Sequence, residues 1–566
     1  MFNGSHNFAI TGGTFNSAGG DVNIFFPEKE RGLTTLYHHT STSASFDAGA
    51  RYPPPLCHPG TRQVILQDLK DWGSKAVGTN NPPIRWLYGP AGAGKSAIAQ
   101  TFAQTCAENG SLLGSFFFWH SDPSRNDPQR LFTTLALQMA IAVPQLRAAV
   151  NAAVTNDPFV PTSSIEKQWD MLVVQPWLKA QLHQQLIHNG TPFPATSSNN
   201  EPITSGNGHH TVQVLDHAEL SGTGTRIWII DGLDECSDSH NQQYILSLLA
   251  QIVQKFRLPI QILVCSRPEP RIKECFAGLE YRNICQWMAL NDTYQASKDI
   301  RLFLVDGFKK ILVHHSHSMA HVPRPWPTSE QIEYLVEKSS GQFIYASTVL
   351  KYINGDGDVP ADCLNVILGL QVVAHRGADS PYAELDALYL QILSTVRPRK
   401  QELLLQVLAA QLVYSGLPHL FIHFLGIPVG TLCATFSSVH ALFQDPSPVA
   451  SGFQFTHASF ADFLLDQNRS LQFHIDKSLG HDLLAQGCLE LYNDLQGFRN
   501  TYACEKWAYH YIHASGSDEL MAKLDSFPVY AAITTAVRYN DREWKSNLAE
   551  SLHMILQIGY KSQAST

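Results

Sequence analysis

The first half of the chain sets short apolar runs between turn residues, and the second half repeats its apolar positions at helical spacing. Ile84-Arg85-Trp86-Leu87-Tyr88 reads as a strand, and Ile98, Phe102 and Cys106 recur every fourth residue behind it as one face of a helix. Ile227-Trp228-Ile229-Ile230 and Ile262-Leu263-Val264-Cys265 are unbroken apolar runs of strand length, the mark of strands covered on both faces. Thr61 is placed to cap a helix passing through Leu66 and Leu69 to Trp72. Strands separated by helices imply an α/β fold around a parallel sheet. From about Glu330 the pattern is helical to the end, with breaks at 354–358, 374–380 and 444–451, so the C-terminal half is expected to be mostly α.

Three stretches lack this periodicity. Residues 1–27 are rich in Gly and Asn and hold two short alternations, Phe8/Ile10 and Val22/Ile24/Phe26, punctuated by Gly12-Gly13 and Gly19-Gly20, which suggest strand, turn, strand. Residues 28–55 are polar and end in Pro53-Pro54-Pro55, a linker by composition. Residues 189–225, rich in Ser, Thr, Asn, Gly and Pro, read as a loop insertion. No internal repeat emerges at the periods of solenoids or propellers.

Composition narrows the function. With 566 residues, 44% hydrophobic, 16% charged and 10% aromatic, the chain can bury several cores and is not a disordered or coiled-coil protein. Forty Lys and Arg against 49 Asp and Glu give −9, with no basic block, so nucleic acid is not an expected partner. Ten cysteines are scattered without a C-x-x-C pair, and the first residues lack a signal peptide's basic flank and apolar core; both fit a cytoplasmic protein. Between Glu402 and Asp445 no charged residue occurs, but Gln406, Gln411, Pro418 and Pro428 interrupt the run, which favours a buried helical core over a membrane span.

The chemistry is concentrated in one motif. Gly89-Pro90-Ala91-Gly92-Ala93-Gly94-Lys95-Ser96, followed by Ala97, fits G-x-x-x-x-G-K-[ST] between a strand and a helix. Glycines let backbone N–H groups wrap phosphates, and the helix N-terminus adds partial positive charge. Lys95 would reach the β- and γ-phosphates and Ser96 would ligate magnesium. Asp231, at the end of the Ile227–Ile230 run, is suited to hold magnesium through water, and either Asp234 or Glu235 to orient the attacking water. Arg267 follows the Gln261–Ser266 strand, where either a γ-phosphate contact or an ordinary ion pair is open.

The phosphate loop, the Ile-Ile-Asp-Gly-Leu-Asp-Glu-Cys box and Cys-Ser-Arg-Pro-Glu-Pro together resemble a NACHT domain, more narrowly the nephrocystin-type NACHT NTPases expanded in fungi, within the STAND class of signal-transduction ATPases. The resemblance implies a P-loop NTPase domain over 56–290, a helical domain over 291–375 and a winged-helix domain over 376–470; the pattern over 471–566 reads as a helical C-terminal region without repeats. It places the segment containing Arg62 near the adenine and ribose, makes Arg267 a γ-phosphate sensor, and sets Phe343, where many relatives carry proline, over the base. His457, in Phe-Thr-His-Ala-Ser-Phe-Ala-Asp-Phe, resembles the winged-helix histidine that meets the β-phosphate of ADP.

The function implied is a signalling switch closed with ADP and oligomerising with ATP, reset by slow hydrolysis with ATP/ADP and Mg2+ as cofactors. Its setting would be innate defence or heterokaryon incompatibility, with an unidentified effector or sensor protein as partner. The alternatives are a non-hydrolysing nucleotide-bound scaffold and a different phosphate-loop enzyme. The leader over 1–27 has the composition of a cross-β signalling segment as well as that of a simple hairpin-like tail.

Overall fold

The computed structural model describes residues 30–75, 81–120, 122–180, 226–290, 295–355, 358–370, 382–414, 427–443, 455–493 and 501–526. The N-terminal segment 1–27, the 189–225 insertion and the last forty residues lie outside these. The chain forms two compact units: one from the described parts of Met1–Leu56, Gln67–Leu87 and Ser96–Met288, the other from Cys57–Leu66, Tyr88–Lys95 and Ala289–Thr566.

The first unit is built on a five-stranded parallel sheet. Its strands are β1 (Ile84–Tyr88), β2 (Leu112–Phe117), β3 (Arg226–Asp231), β4 (Ile260–Ser266) and β5 (Cys285–Ala289), in the order β2-β3-β4-β1-β5. β3 and β4 are buried along their whole length, as their unbroken apolar runs require. Ile229 pairs with Leu263, and Asp231 at the end of β3 lies opposite Cys265. The edge strand β5 leaves Gln286 and Trp287 exposed, and that mixture hides it from an apolar-run search.

Residues 30–55 are not a linker. Helix Arg31–His38 buries Leu33 and Leu36 and packs on helix Pro144–Asn156 so closely that a Cβ on Gly32 would lie 2.1 Å from the Asn151 carbonyl oxygen. Arg147 clamps Glu30 with two bonds of 2.7 Å, and this contact, opposed by burial, holds the Glu30 carboxyl below its usual range. Further on, Ser41 N–H donates to Thr134 Oγ1 at 2.9 Å and Gln100 Nε2 donates to the Phe46 carbonyl at 2.7 Å. The segment adds these polar bonds to a few buried apolar side chains, Leu33, Leu36 and Ala44, and its many polar residues give it the composition of a linker.

The helix expected after Thr61 starts at Gln63 instead. Thr61 turns its hydroxyl back to the His58 carbonyl at 2.7 Å, and Arg62 takes a left-handed backbone, φ +56°. Among the described residues of the second unit the regular structure is helical, apart from Tyr88 and Ala289, which end β1 and β5, and the isolated bridge between Phe443 and Phe455. One apolar core runs from Ile300 on helix Ala296–His314 to Leu520. Within the charge-poor stretch, helix Pro398–Val413 buries Leu404, Val407 and Leu408. Among the described residues no helix is long and apolar enough to cross a membrane.

Candidate nucleotide-binding site

β1 ends at Tyr88 and helix Lys95–Glu108 begins seven residues later. The loop between them reverses through Gly92 (φ +77°) and Gly94 (φ +91°), left-handed conformations that β-carbons disfavour. The Gly/Ala-rich run thus folds as a strand–loop–helix with its backbone wound at a helix N-terminus, the arrangement that receives phosphate. Lys95 Nζ donates to the Gly89 and Pro90 carbonyls at 2.8 and 2.9 Å, folded back over the first half of the loop.

A second layer within the same unit supports the loop. Ser340 (φ +45°) and Gly341 (φ +78°) break the chain between helices Ser329–Ser339 and Phe343–Ile353. The turn brings Ile344 N–H to the Gly92 carbonyl at 3.3 Å. Opposite, Arg62 donates from Nη2 to the Ala93 carbonyl at 2.7 Å, and its backbone N–H meets Asp299 Oδ2 at 2.8 Å. Its guanidinium lies 4.8 Å from the centroid of the Phe343 ring. Burial pushes the Arg62 guanidinium down, with Asp299 opposing the shift. Arg62 is only 3% exposed, yet its Nε and Nη1 have no hydrogen-bond partner. Two buried cationic N–H groups beside a phosphate loop are the donors that an anionic ligand would satisfy. Arg62 and Phe343, assigned to nucleotide binding from resemblance alone, are therefore in contact with each other, and Arg62 with the loop.

The acidic residues after β3 belong to the first unit, and each has a partner. Gly232 (φ +71°) turns the chain out of the strand into the short helical turn Leu233–Glu235. Asp234 accepts from the Arg267 backbone N–H at 2.9 Å, and its Oδ2 is 3.2 Å from Arg267 Nε. Asp234 thus meets Arg267 through both its backbone and its side chain. Glu235 accepts from His120 N–H at 3.2 Å, with the His120 ring nitrogen Nδ1 3.5 Å away. Burial raises the Glu235 carboxyl, and the His120 contacts more than offset it, leaving it lowered. Asp231 is 3% exposed; Arg51 and Arg125 both act on its surroundings. Arg51, 3.7 Å over the Phe117 ring, is pushed down to about 9 by burial and by Arg125, with Asp231 and Asp47 opposing. Ser96 occupies the second position of helix Lys95–Glu108. The serine hydroxyl and the Asp231 carboxylate are the oxygen donors that magnesium takes.

His457 caps helix Ala458–Leu465: its Nδ1 accepts from Ser459 N–H at 3.0 Å. That acceptor role leaves the proton of the neutral ring on Nε2. Sequence reasoning missed His120, Arg51, Arg125 and Tyr382, whose hydroxyl accepts from Ala91 N–H at 3.3 Å. None lies in a recognisable motif.

A parallel sheet with helices, consistent with an α/β P-loop-like core, is thus the class that the fold defines. Residues 60–188 and 181–267 match the family described as Nephrocystin 3, N-terminal, so over this span the chain is similar to nephrocystin-type proteins. The match covers less than half of the 566 residues; it includes the phosphate loop, Asp231 and Arg267, and stops short of Phe343 and His457. No curated protein matches the chain.

Proposed function

We propose that this chain is an ATP- and ADP-binding signalling switch of the NACHT type, in the STAND class, with Mg2+ as its metal. The observation that carries the reading is the Arg62 guanidinium, bonded to the phosphate loop with two buried N–H groups left over for an anion. Gly89–Ala97 would hold the phosphates, Arg62 and Phe343 the nucleoside end, and Ser96 with Asp231 the magnesium. His457 would favour the diphosphate-bound closed form, and Arg267 would favour the triphosphate on leaving Asp234. Moving such a switch from 1:99 to 99:1 takes about 5.5 kcal/mol of differential binding. Two or three charge-assisted hydrogen bonds of about 1.5–3 kcal/mol each supply most of it. In this reading the triphosphate state oligomerises, slow hydrolysis resets the protein, and the output is cytoplasmic defence or incompatibility signalling through a partner protein.

A non-hydrolysing scaffold is favoured by one observation, the Asp234–Arg267 pair, which holds a candidate catalytic carboxylate and the candidate sensor on each other. The test is the nucleotide released when freshly purified protein is denatured, for wild type, Lys95→Ala and Arg62→Ala. Near-stoichiometric ADP in wild type, lost by at least tenfold in both variants, is expected. A folded wild type that carries no nucleotide and takes up neither ATP nor ADP refutes the switch.

A further inference from the structure

Helix Ala383–Ser394 makes polar contacts at both ends of one face. Tyr382 is its N-cap residue, and Asp386 and Tyr389 follow at i+4 and i+7, so the three share a stripe. At one end the Tyr382 hydroxyl accepts from Ala91 N–H in the phosphate loop. In the middle, Arg469 donates to both Asp386 oxygens at 3.0 and 2.8 Å, and its guanidinium carbon lies 5.0 Å from the Tyr382 ring centroid. At the other end the Tyr389 hydroxyl is 2.9 Å from Ser459 Oγ, which is itself 2.9 Å from His457 Nδ1. Asp386, Tyr389 and Ser459 are all buried, so shifting this face without repacking would leave polar groups unpaired.

The contact with the loop is at a particular place. Lys95, the residue that reaches β- and γ-phosphates in this motif, folds onto the Gly89 and Pro90 carbonyls, and Tyr382 occupies the amide of the very next residue. The hydroxyl therefore sits in the first half of the loop, beside the carbonyls that hold Lys95 and away from the helix N-terminus. A phosphate oxygen and the Tyr382 oxygen are both acceptors, and Ala91 has one N–H to give.

We propose that Tyr382 discriminates between nucleotides by their number of phosphates. Its hydroxyl stays on Ala91 when the site is empty or holds a diphosphate, and is displaced when a third phosphate arrives. Helix Ala383–Ser394 then carries the displacement, through Asp386–Arg469 and Tyr389–Ser459, to His457. This rests on the nucleotide-binding reading above. It adds a residue outside every motif and a route by which occupancy of the loop reaches the histidine.

The experiment is calorimetric titration of the full chain, wild type and Tyr382→Phe, with ADP and with a non-hydrolysable ATP analogue. Phenylalanine keeps the ring beneath Arg469 and removes only the competing oxygen. ADP affinity is expected to stay within about twofold, while the analogue binds about three- to tenfold tighter, the range that one hydrogen bond spans. Tyr382→Leu, which removes ring and hydroxyl, guards against a folding defect peculiar to one variant and is expected to move the ratio the same way. Wild type binding both nucleotides with the ATP:ADP ratio unmoved in both variants, or shifted toward ADP, overturns the proposal and leaves the switch standing. Wild type binding neither nucleotide overturns both.

Discussion

Gly92→Ala tests the contact between the phosphate loop and helix Phe343–Ile353. Two costs are separable at this position. The backbone is left-handed, φ +77°, which penalises any Cβ by about 1–2 kcal/mol. The added carbon would also lie 2.0 Å from Ile344 Cγ2 and 2.8 Å from Ile344 Cβ, an overlap that forces repacking at about 1–3 kcal/mol. The sum is about 2–5 kcal/mol. Ile344 is buried, so Ile344→Ala alone costs about 2–5 kcal/mol, but it removes Cγ2, the atom that the new methyl would overlap most. In that background Gly92→Ala keeps the backbone cost and the 2.8 Å approach to the remaining Cβ but loses the 2.0 Å overlap, so it should cost less than in wild type, with a coupling energy of about 1–2 kcal/mol. Gly94 supplies the control: its φ is +91°, and nothing lies within 4 Å of where its Cβ would be. Gly94→Ala should therefore cost about 1–2 kcal/mol in either background. The assay is a denaturant titration of the four members of each cycle without nucleotide, followed by circular dichroism. Equal costs for Gly92→Ala with and without Ile344 would refute the contact. So would a coupling as large for Gly94 as for Gly92.

Two further expectations follow from particular contacts. Asp234→Asn weakens the hold on Arg267 and should lower stability by about 1–2 kcal/mol, while Glu235→Gln keeps the bond from His120 N–H and should cost less than about 1 kcal/mol. In the switch reading Glu235→Gln retains ATP where wild type retains ADP, read by chromatography of the released nucleotide; ATP trapped by Asp234→Asn and not by Glu235→Gln would assign catalysis to Asp234. On acidification, His481 and His510 should weaken the helical unit. Burial, with His513 and Lys477, lowers His481 to about 4; burial, with His481, His513 and Lys506, lowers His510 to about 3. Both folded values lie below the unfolded one, so the stabilisation is complete above about pH 6.5 and is lost as pH falls toward the folded values. Between pH 7 and 5 the loss should be on the order of 1–2 kcal/mol per histidine. Melting followed against pH checks it, and a His510→Phe variant that keeps the full slope would refute the assignment.

How much of this was legible beforehand depended on the kind of signal. β1, β3 and β4 were readable because central parallel strands must be apolar on both faces, and the phosphate loop because its glycines answer a backbone requirement. β5, exposed at Gln286 and Trp287, and helix Arg31–His38, whose buried residues are Gly32, Leu33 and Leu36, give no such run. Among candidate site residues, Lys95, Ser96 and Asp231 came from motifs and Arg62 from the family resemblance. His120 and Tyr382 could not, because each is defined by a partner 115 or 291 residues away.

What the residues determined by themselves is local: a loop whose conformation needs Gly92 and Gly94, a strand that ends in Asp231, and a His457 placed to cap the helix that follows it. Each depends on neighbours along the chain, and short-range sterics and capping act within a few residues. Tertiary structure alone decided that Asp234 holds Arg267, that Arg62 meets both Ala93 and Phe343, and that one face of helix Ala383–Ser394 joins Ala91 to Ser459. Those pairings arise because buried polar groups must find partners, and packing chooses which distant partner is within reach.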